Sequence, residues 1–549
     1  MTTPQTVPVS TPNRRSDRLR PGYVLIAVLI VILVLSLVAY RFSDAMVSEM
    51  RAGVRSADYA QVRAAAVSGV HYAAALLANP DLLALDVGNP YDNPSYFQDI
   101  PVPQDPTNPN SKQAYFSIIN VTPLSGGGYQ QRYGMSDEGG KININALIAL
   151  DPSGETLYNA LMKLPNMTAD VADAIVDWVD SDDTPRTNGA ESAYYRSLAQ
   201  PYSAKNGPLN SLDELLLVKG VTPQLLYGTD RNRNGVDDEN AGIVDRGWSD
   251  YLTVYGREVN VDSSGILRIW INGDDIVGIY QALLNSGLDA DMAAYIVAAK
   301  LFGSNNLLRV TADGQIQSST STKGGGGMGK GGMQQTVYVA VGADELINAV
   351  EARLATAATS GRAINSIFDL VNTAIVLQRN SRTNPPTATV YYSPLNDPAR
   401  QAQLLPILLD KISTREAVEM VPRLNVNTAP REALLGLPGL TETEVDNILA
   451  ARDSVIPFSL EAMTGAWLLT QGGLSISKFR SLERYVTGTS MVYRVEVVGY
   501  FAQGGPTARV EAVIDSNLGA PRILYFRDLG DLDYPRAYSP QAIAGTTTP

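Results

Sequence analysis

The chain has 549 residues, with 56 acidic against 43 basic side chains and a formal net charge of −13. It has no Cys and one His, His71. This excludes disulfides, thiol catalysis and His- or Cys-clustered metal sites, and makes a Ser-His-Asp triad a poor reading. The apolar share of 45% supports a sizeable core, and the negative charge argues against broad nonspecific binding to nucleic acid. No enzymatic activity is expected.

Residues 1–22 are polar, then basic, with Arg14, Arg15, Arg18 and Arg20 against Asp17. Residues 23–40, YVLIAVLIVILVLSLVAY, carry no charge. At about 1.5 Å per residue this run just spans a hydrocarbon core of ~30 Å. It is longer than the apolar part of a secretory signal peptide. The Arg excess before it holds the N-terminus in the cytoplasm and sends the rest outward. Val47, Met50, Val54, Ala57, Ala60, Ala64, Val67, Val70, Ala74 and Leu77 recur at helical spacing, which predicts an amphipathic continuation over 41–79.

Three segments then repeat one pattern: KININ (141–145), RIWIN (268–272) and RLNVN (423–427). Each has a basic residue, a short alternating stretch and a closing Asn. Each is followed by two apolar helical patterns separated by Pro-Asn, Ser-Gly or Pro-Gly, with Thr168, Asp289 and Thr441 placed as N-caps. These read as helix-hairpin-helix units. A further hairpin seed follows in each, at LNSLDELLL (209–217), INSIFDL (364–370) and FSLEAM (458–463). Flanking the helical block are strand patterns at 114–122, 130–135, 491–502, 508–515 and 522–527, which predict one sheet with the helices inserted into it. Residues 318–335 are Gly-rich and 380–398 read as a Pro/Asn-rich loop.

Two acidic segments carry the candidate chemistry. DRNRNGVDDE places oxygens of Asp230, Asn232 and Asn234 at alternate positions, then Gly235 for a sharp turn, the carbonyl of Val236 and Asp238. That spacing is the first part of a Ca²⁺ loop, although Ala241 stands where a bidentate Glu is usual. The alternative is a solvated Asx-rich turn. The second segment is DWVDSDDTPRTNGAESAYY, in which Asp177, Asp180, Asp182 and Asp183 crowd together. Asp180, Asp182, Asp183 and Glu191 form a second candidate metal site, against a solvated helix end as the plain alternative. The turn at 438–440 is followed by Glu442, Glu444 and Asp446, whose charge repels phosphate, so nucleic acid is not an expected partner.

The basic leader, Gly22 before an apolar helix, GGKININ, DWVDSDD…NGAESAYY, SLDELLLVKGVTPQLLYG, the DRNRNG loop and LNVNTAPREALLGLPGL occur in one order. Together they resemble the general secretion pathway protein K family, the large minor pseudopilins of type II secretion systems. The resemblance covers about residues 20–255 and 420–530. It implies prepilin peptidase cleavage between Gly22 and Tyr23, with methylation of the new N-terminus. Ala27 stands where other pseudopilins carry Glu, which fits a subunit with no neighbour above it. It further implies calcium in the globular part, inner-membrane anchoring by a single span with the bulk periplasmic, and two other minor pseudopilins as partners at the filament tip. The expected fold is α+β: an antiparallel pilin-like sheet with a large, mostly α domain inserted.

The expected order is leader 1–22, transmembrane helix 23–40, its continuation 41–79 and the first part of the sheet 80–140. The inserted domain 141–485 follows, with units 141–260, 261–420 (including the loop 318–335) and 421–485. C-terminal strands at 486–530 and a flexible tail at 531–549 complete it. Alternative readings are a helix-hairpin-helix DNA-binding or DNA-uptake protein and a minor pilin of a type IV pilus.

Overall fold

The computed structural model describes residues 21–530, apart from 105, 108–111, 124–128, 230–246, 304, 312, 318–335, 357–360 and 518. The N-terminal apolar run belongs to one helix, α1 (Pro21–Leu77), of 57 residues. Its most apolar 18-residue window has a mean hydropathy of 3.0, none of it buried, and it is long and apolar enough to cross a membrane. Burial begins at Val62 and continues through Ala65, Ala66, Val70, Ala73, Leu76 and Leu77, a stripe at helical spacing.

That stripe lies on a seven-stranded antiparallel sheet of β1 (Ile100–Pro101), β2 (Ala114–Pro123), β3 (Tyr129–Tyr133), β4 (Ser136–Asp137), β5 (Val492–Phe501), β6 (Ala508–Asp515) and β7 (Arg522–Asp528). The spatial order is β1-β2-β5-β6-β7, with β3 on β2 and β4 on β5. Strands from before and after the helical block therefore share one sheet, joined where Ala114–Ile119 pair with Phe501–Glu496. Phe116, Ile118, Val495, Val497, Val510 and Ala512 face α1. The approach is close. A Cβ on Gly69 would sit 2.4 Å from Val497 Cγ1, and one on Gly499 would sit 2.0 Å from the carbonyl of Val62. Gly69, a weak point for an isolated helix, is thus what lets this helix reach the sheet.

Two adjacent residues fasten the helical block to the sheet. Glu138, fully buried, accepts Arg494 Nε (2.9 Å) and Nη2 (2.6 Å) from β5 and the Thr253 hydroxyl (2.6 Å). Burial pushes its carboxyl up, but Arg494 and then Lys141 outweigh that and hold it at about 2. Asp137, which lies outside both acidic segments, is also buried and accepts Asn425 Nδ2 (2.7 Å) and the Thr428 hydroxyl (2.5 Å).

The three Asn-terminated segments share one local design. Ile142–Asn143, Ile269–Trp270 and Leu424–Asn425 each form a two-residue parallel ladder, with Leu252–Thr253, Ile412–Ser413 and Val486–Thr487 respectively. The closing Asn then bridges two later stretches. Asn145 Nδ2 donates to the carbonyls of Leu209 (2.9 Å) and Val254 (3.4 Å), and Asn272 Nδ2 to those of Ile364 (2.9 Å) and Thr414 (3.0 Å). Asn427 Nδ2 donates to those of Ala462 (2.9 Å) and Gly488 (2.6 Å). Each side-chain oxygen accepts in return, from Leu209 N, Ile364 N and Trp467 Nε1.

The helix pairs that follow are α2 (Glu155–Leu161) with α3 (Ala169–Val179), α4 (Ile276–Asn285) with α5 (Ala290–Leu301), and α6 (Arg431–Leu435) with α7 (Glu442–Arg452). Each intervening turn contains one left-handed residue: Asn166 (φ 57°), Gly287 (φ 85°) and Gly439 (φ 76°). Of the three anticipated caps only Thr441 bonds through its side chain, in a capping box with Glu444; Thr168 and Asp289 hold the cap position without a side-chain bond.

The middle segment departs from the expected helical character. Leu307–Arg309, Val337–Ala340, Thr373–Asn380 and Thr387–Tyr392 build a four-stranded sheet. The loop read over 380–398 contains the strand Thr387–Tyr392, because Pro385 and Pro386 mark only the turn before a β-branched and aromatic run.

The Asn bridges are expected to be structural. Asn145→Ala leaves the backbone groups of Leu209 and Val254 without their partner, and should destabilise the protein by about 2–3 kcal/mol in a denaturant titration. Asn159→Ala, on the exposed surface of α2, should cost under about 0.5 kcal/mol.

Candidate metal centre

Helix α3 buries every residue from Val171 to Val179. The spacing of Asp173 and Asp177 puts both carboxylates on one face, and Asp177 lies in the last turn, where the helix dipole is itself negative. The chain leaves the helix at Asp180 and folds back, so that Arg186 N donates to Asp177 Oδ1 (3.1 Å) and Oδ2 (3.2 Å). The Arg186 side chain neutralises Asp173 (2.9 Å) and Glu155 (3.1 Å), and Asn188 also donates to Asp173 (3.1 Å). Gly189 then passes over Asp177 so closely that a Cβ there would lie 1.9 Å from Oδ2. Lys219 Nζ holds the returning strand through the carbonyls of Asn188 (3.1 Å) and Gly189 (3.2 Å). Behind it Trp178 meets Tyr195 edge to face and Tyr195 stacks on Tyr202, with ring centroids 5.0 Å and 5.1 Å apart.

This return brings Glu191, 2% exposed, against the helix end. One carboxylate oxygen from each of Asp177, Asp180 and Glu191 lies within 4.8 Å of the other two. Asp180 Oδ1 and both Glu191 oxygens are buried and have no hydrogen-bond donor. The nearby cations, Arg186 and Lys219, are spent on other partners. Burial, with Asp177, Asp180 and Asp183 adding repulsion, pushes Glu191 up to about 8. Burial, with Asp182 and Asp177, pushes Asp180 up to about 6, and burial also raises Asp177. Three converging carboxylates with orphaned oxygens suit a hard divalent cation; the donors are all oxygen, as Ca²⁺ requires.

Of the residues expected from the sequence, the structure brings together Asp180 and Glu191. Asp182 and Asp183 stay outside that group of three: Asp182 Oδ1 accepts Thr184 N (2.8 Å), and Asp183, beside Glu191, accepts Ser192 N through Oδ1 (3.2 Å). Their place beside Asp180 and Glu191 is taken by Asp177, which sits one helical turn back from Asp180. The readable signal for it was Gly189, the residue small enough to let a loop close over a helix carboxylate. The other candidate loop, with Asp230, Asn232, Asn234, Val236 and Asp238, lies outside the described residues. Gly22 and Tyr23 stand in the first turn of α1.

Residues 140–228, which contain this cluster, match the first-domain family model of type II secretion system protein K. Over those residues the chain is similar to the type II secretion system protein K family. A relative from Escherichia coli K12, described as a type II secretion system protein K, is 36% identical over 58 residues. That match covers 11% of this chain and 18% of the relative's length. Among solved structures, a chain of the GspK–GspI–GspJ complex from enterotoxigenic Escherichia coli aligns over 88% of this chain and 99% of its own. Its identity is 10% and its TM-score 0.33.

The cluster fixes a pH dependence. The folded-state pKa of Glu191 lies above its unfolded value, so the metal-free folded protein binds more protons than the unfolded one between the ordinary glutamate range and about 8. In excess chelator the melting temperature should therefore fall as pH rises through that window. Glu191→Gln should flatten the fall and melt higher than wild type at its alkaline end. Parallel curves for the two proteins would show that Glu191 carries no such strain.

Proposed function

We propose that this protein is a minor pseudopilin at the tip of a type II secretion pseudopilus, where it initiates filament assembly and supports protein export across the outer membrane. The observation that carries the reading is the match of residues 140–228 to the protein K domain, on a chain whose described residues include one helix long and apolar enough to span a membrane. On this reading α1 anchors the subunit in the inner membrane with the bulk periplasmic, and prepilin peptidase cuts between Gly22 and Tyr23. The freed N-terminus is methylated. Two other minor pseudopilins are the partners, and the chain performs no covalent chemistry.

The fold is read accordingly. The sheet behind α1 is a pilin-like sheet, and 141–485 is a domain inserted between its strands. Its units 141–260, 261–420 and 421–485 are diverged copies of a helix-hairpin-helix module; the three Asn bridges and the three left-handed turn residues support this. Calcium is the structural cofactor, held by Asp177, Asp180 and Glu191 and by the loop of Asp230, Asn232, Asn234, Val236 and Asp238. A cation among three desolvated carboxylates locks the loop 181–191 onto α3, so its role is to fix the surface around it.

Three measurements test the proposal. N-terminal sequencing of protein extracted from membranes of a host with the peptidase should begin at Tyr23; a start at Met1 or Thr2 overturns the processing step. Affinity purification from a secreting cell should recover two smaller pseudopilins, and deletion should abolish export. Ca²⁺ should raise the melting temperature of chelated protein more than Mg²⁺ does, whose octahedral demand this site meets poorly. At a hundredfold excess over its dissociation constant the ion adds ~2.7 kcal/mol. Glu191→Gln and Asp180→Asn should each lose part of the response, and Asp182→Asn should keep it. An unmoved melting curve with no Ca²⁺ uptake overturns the cofactor.

A further inference from the structure

The protein has two large apolar cores with a polar seam between them. One core runs from Ile142 to Val486 within the helical block, and the other joins α1 to the near face of the sheet. Among the described residues no buried apolar cluster holds members of both bodies. Side chains alternate along a strand, so β5 and β6 turn Arg494, Glu496, Arg509 and Glu511 to the far face, paired as Arg494–Glu511 and Arg509–Glu496. Between this face and the block lies a cavity of about 420 Å³.

The seam is held at two ends. At one end the chain crosses between the bodies, at 137–141 and again at 487–491, and the crossings lie side by side. Asp137 on β4 pairs with Tyr493 on β5, and a Cβ on Gly139 would sit 2.5 Å from Ser490 Oγ. At the other end the block meets β6, β7 and the turn between them. Arg257 Nη1 donates to Asp515 (3.3 Å), and Asn517 Nδ2 donates to the Arg257 carbonyl (3.0 Å). Arg527 Nη1 donates to Asp213 (3.1 Å), and the rings of Tyr255 and Tyr525 lie 5.4 Å apart between centroids. The cavity is lined from both ends, by Asp137, Lys141 and Arg494 and by Asp213, Tyr255 and Tyr525.

Parting the two ends has different consequences. Glu138 at the crossings is fully buried, and taking Arg494 from it would leave a desolvated charge. At the other end the ions keep partners on their own body. Arg257 keeps Glu419, Asp515 keeps Arg522 (3.0 Å) and Asn517 (2.8 Å), and Asp213 keeps the Tyr227 hydroxyl. Arg527 is 28% exposed, so water can solvate it.

We infer that the helical block is hinged on the sheet at the paired crossings, and that the contacts of Asp213, Tyr255 and Arg257 with β6, β7 and Asn517 form a latch that opens and closes the cavity. Bodies joined without a shared apolar core move relative to each other, and two adjacent crossings give the motion one axis. Opening bares Tyr255 and Tyr525 and leaves both cores intact. The hinge is independent of the assembly role and of the metal centre; none of Asp177, Asp180 or Glu191 lines the cavity.

The test uses the full chain in detergent, and the absence of Cys lets spin labels be placed singly. The seam pair is Leu217→Cys, exposed and four residues from Asp213, with Leu524→Cys, exposed on β7. The control pair, Asn159→Cys with Leu217→Cys, lies within the block. Pulsed dipolar spectroscopy should give the seam pair two distances, the longer one from the open latch. The longer population should grow severalfold between about 0.01 M and about 1 M salt, as the screening length falls from about 30 Å to about 3 Å. Arg257→Gln and Arg527→Gln should each raise it severalfold at low salt, with the control pair unchanged. One distance for the seam pair under all these conditions would overturn the hinge, as would a control pair that lengthens in step with it. A longer population indifferent to salt and to both variants would overturn the latch.

Discussion

The fold depends on one ladder, the antiparallel pairing of β2 with β5. It joins the segment before the helical block to the segment after it, so the block must leave and re-enter the sheet beside neighbouring strands. Loop closure on this scale costs conformational entropy that the ladder alone could not repay. The burial of α1 on one face of the sheet contributes apolar area. The Glu138–Arg494 pair at the exit contributes a desolvated, doubly hydrogen-bonded contact. Removing either partner of such a pair would leave a buried charge, which makes this junction less tolerant than any exposed ion pair on the surface.

Within the block the organising device is polar. A two-residue parallel ladder has no stability by itself. In each of the three segments an Asn side chain extends it, offering a donor and an acceptor as a backbone unit would. This satisfies carbonyls that would otherwise be buried and unpaired. The helices pack on the frame so made, in a single continuous core that runs from Ile142 to Val486. The middle segment keeps the Asn bridge while adding a second sheet.

The acidic cluster at the end of α3 works in the opposite sense. Its carboxylates are brought together by apolar and aromatic packing, by Gly189 and by Lys219, with nothing in the described protein to neutralise Glu191. Packing has been spent on holding like charges close, which is a stable arrangement only when a proton or a cation joins them.

Much of this could be read from the sequence. Hydrophobic periodicity located α1, the long strands and the helix pairs, because local spacing and burial are coupled wherever one face of an element is covered. The repeated Asn and the turn dipeptides marked the three segments, since a left-handed residue restricts the choice of side chain. What the sequence could not supply was partner identity across long separations. That Asp177 joins Asp180 and Glu191, and that Glu138 takes Arg494, both follow from how the elements pack. A carboxylate's environment is set by the few ångströms around it, and those are filled by residues far away in the chain.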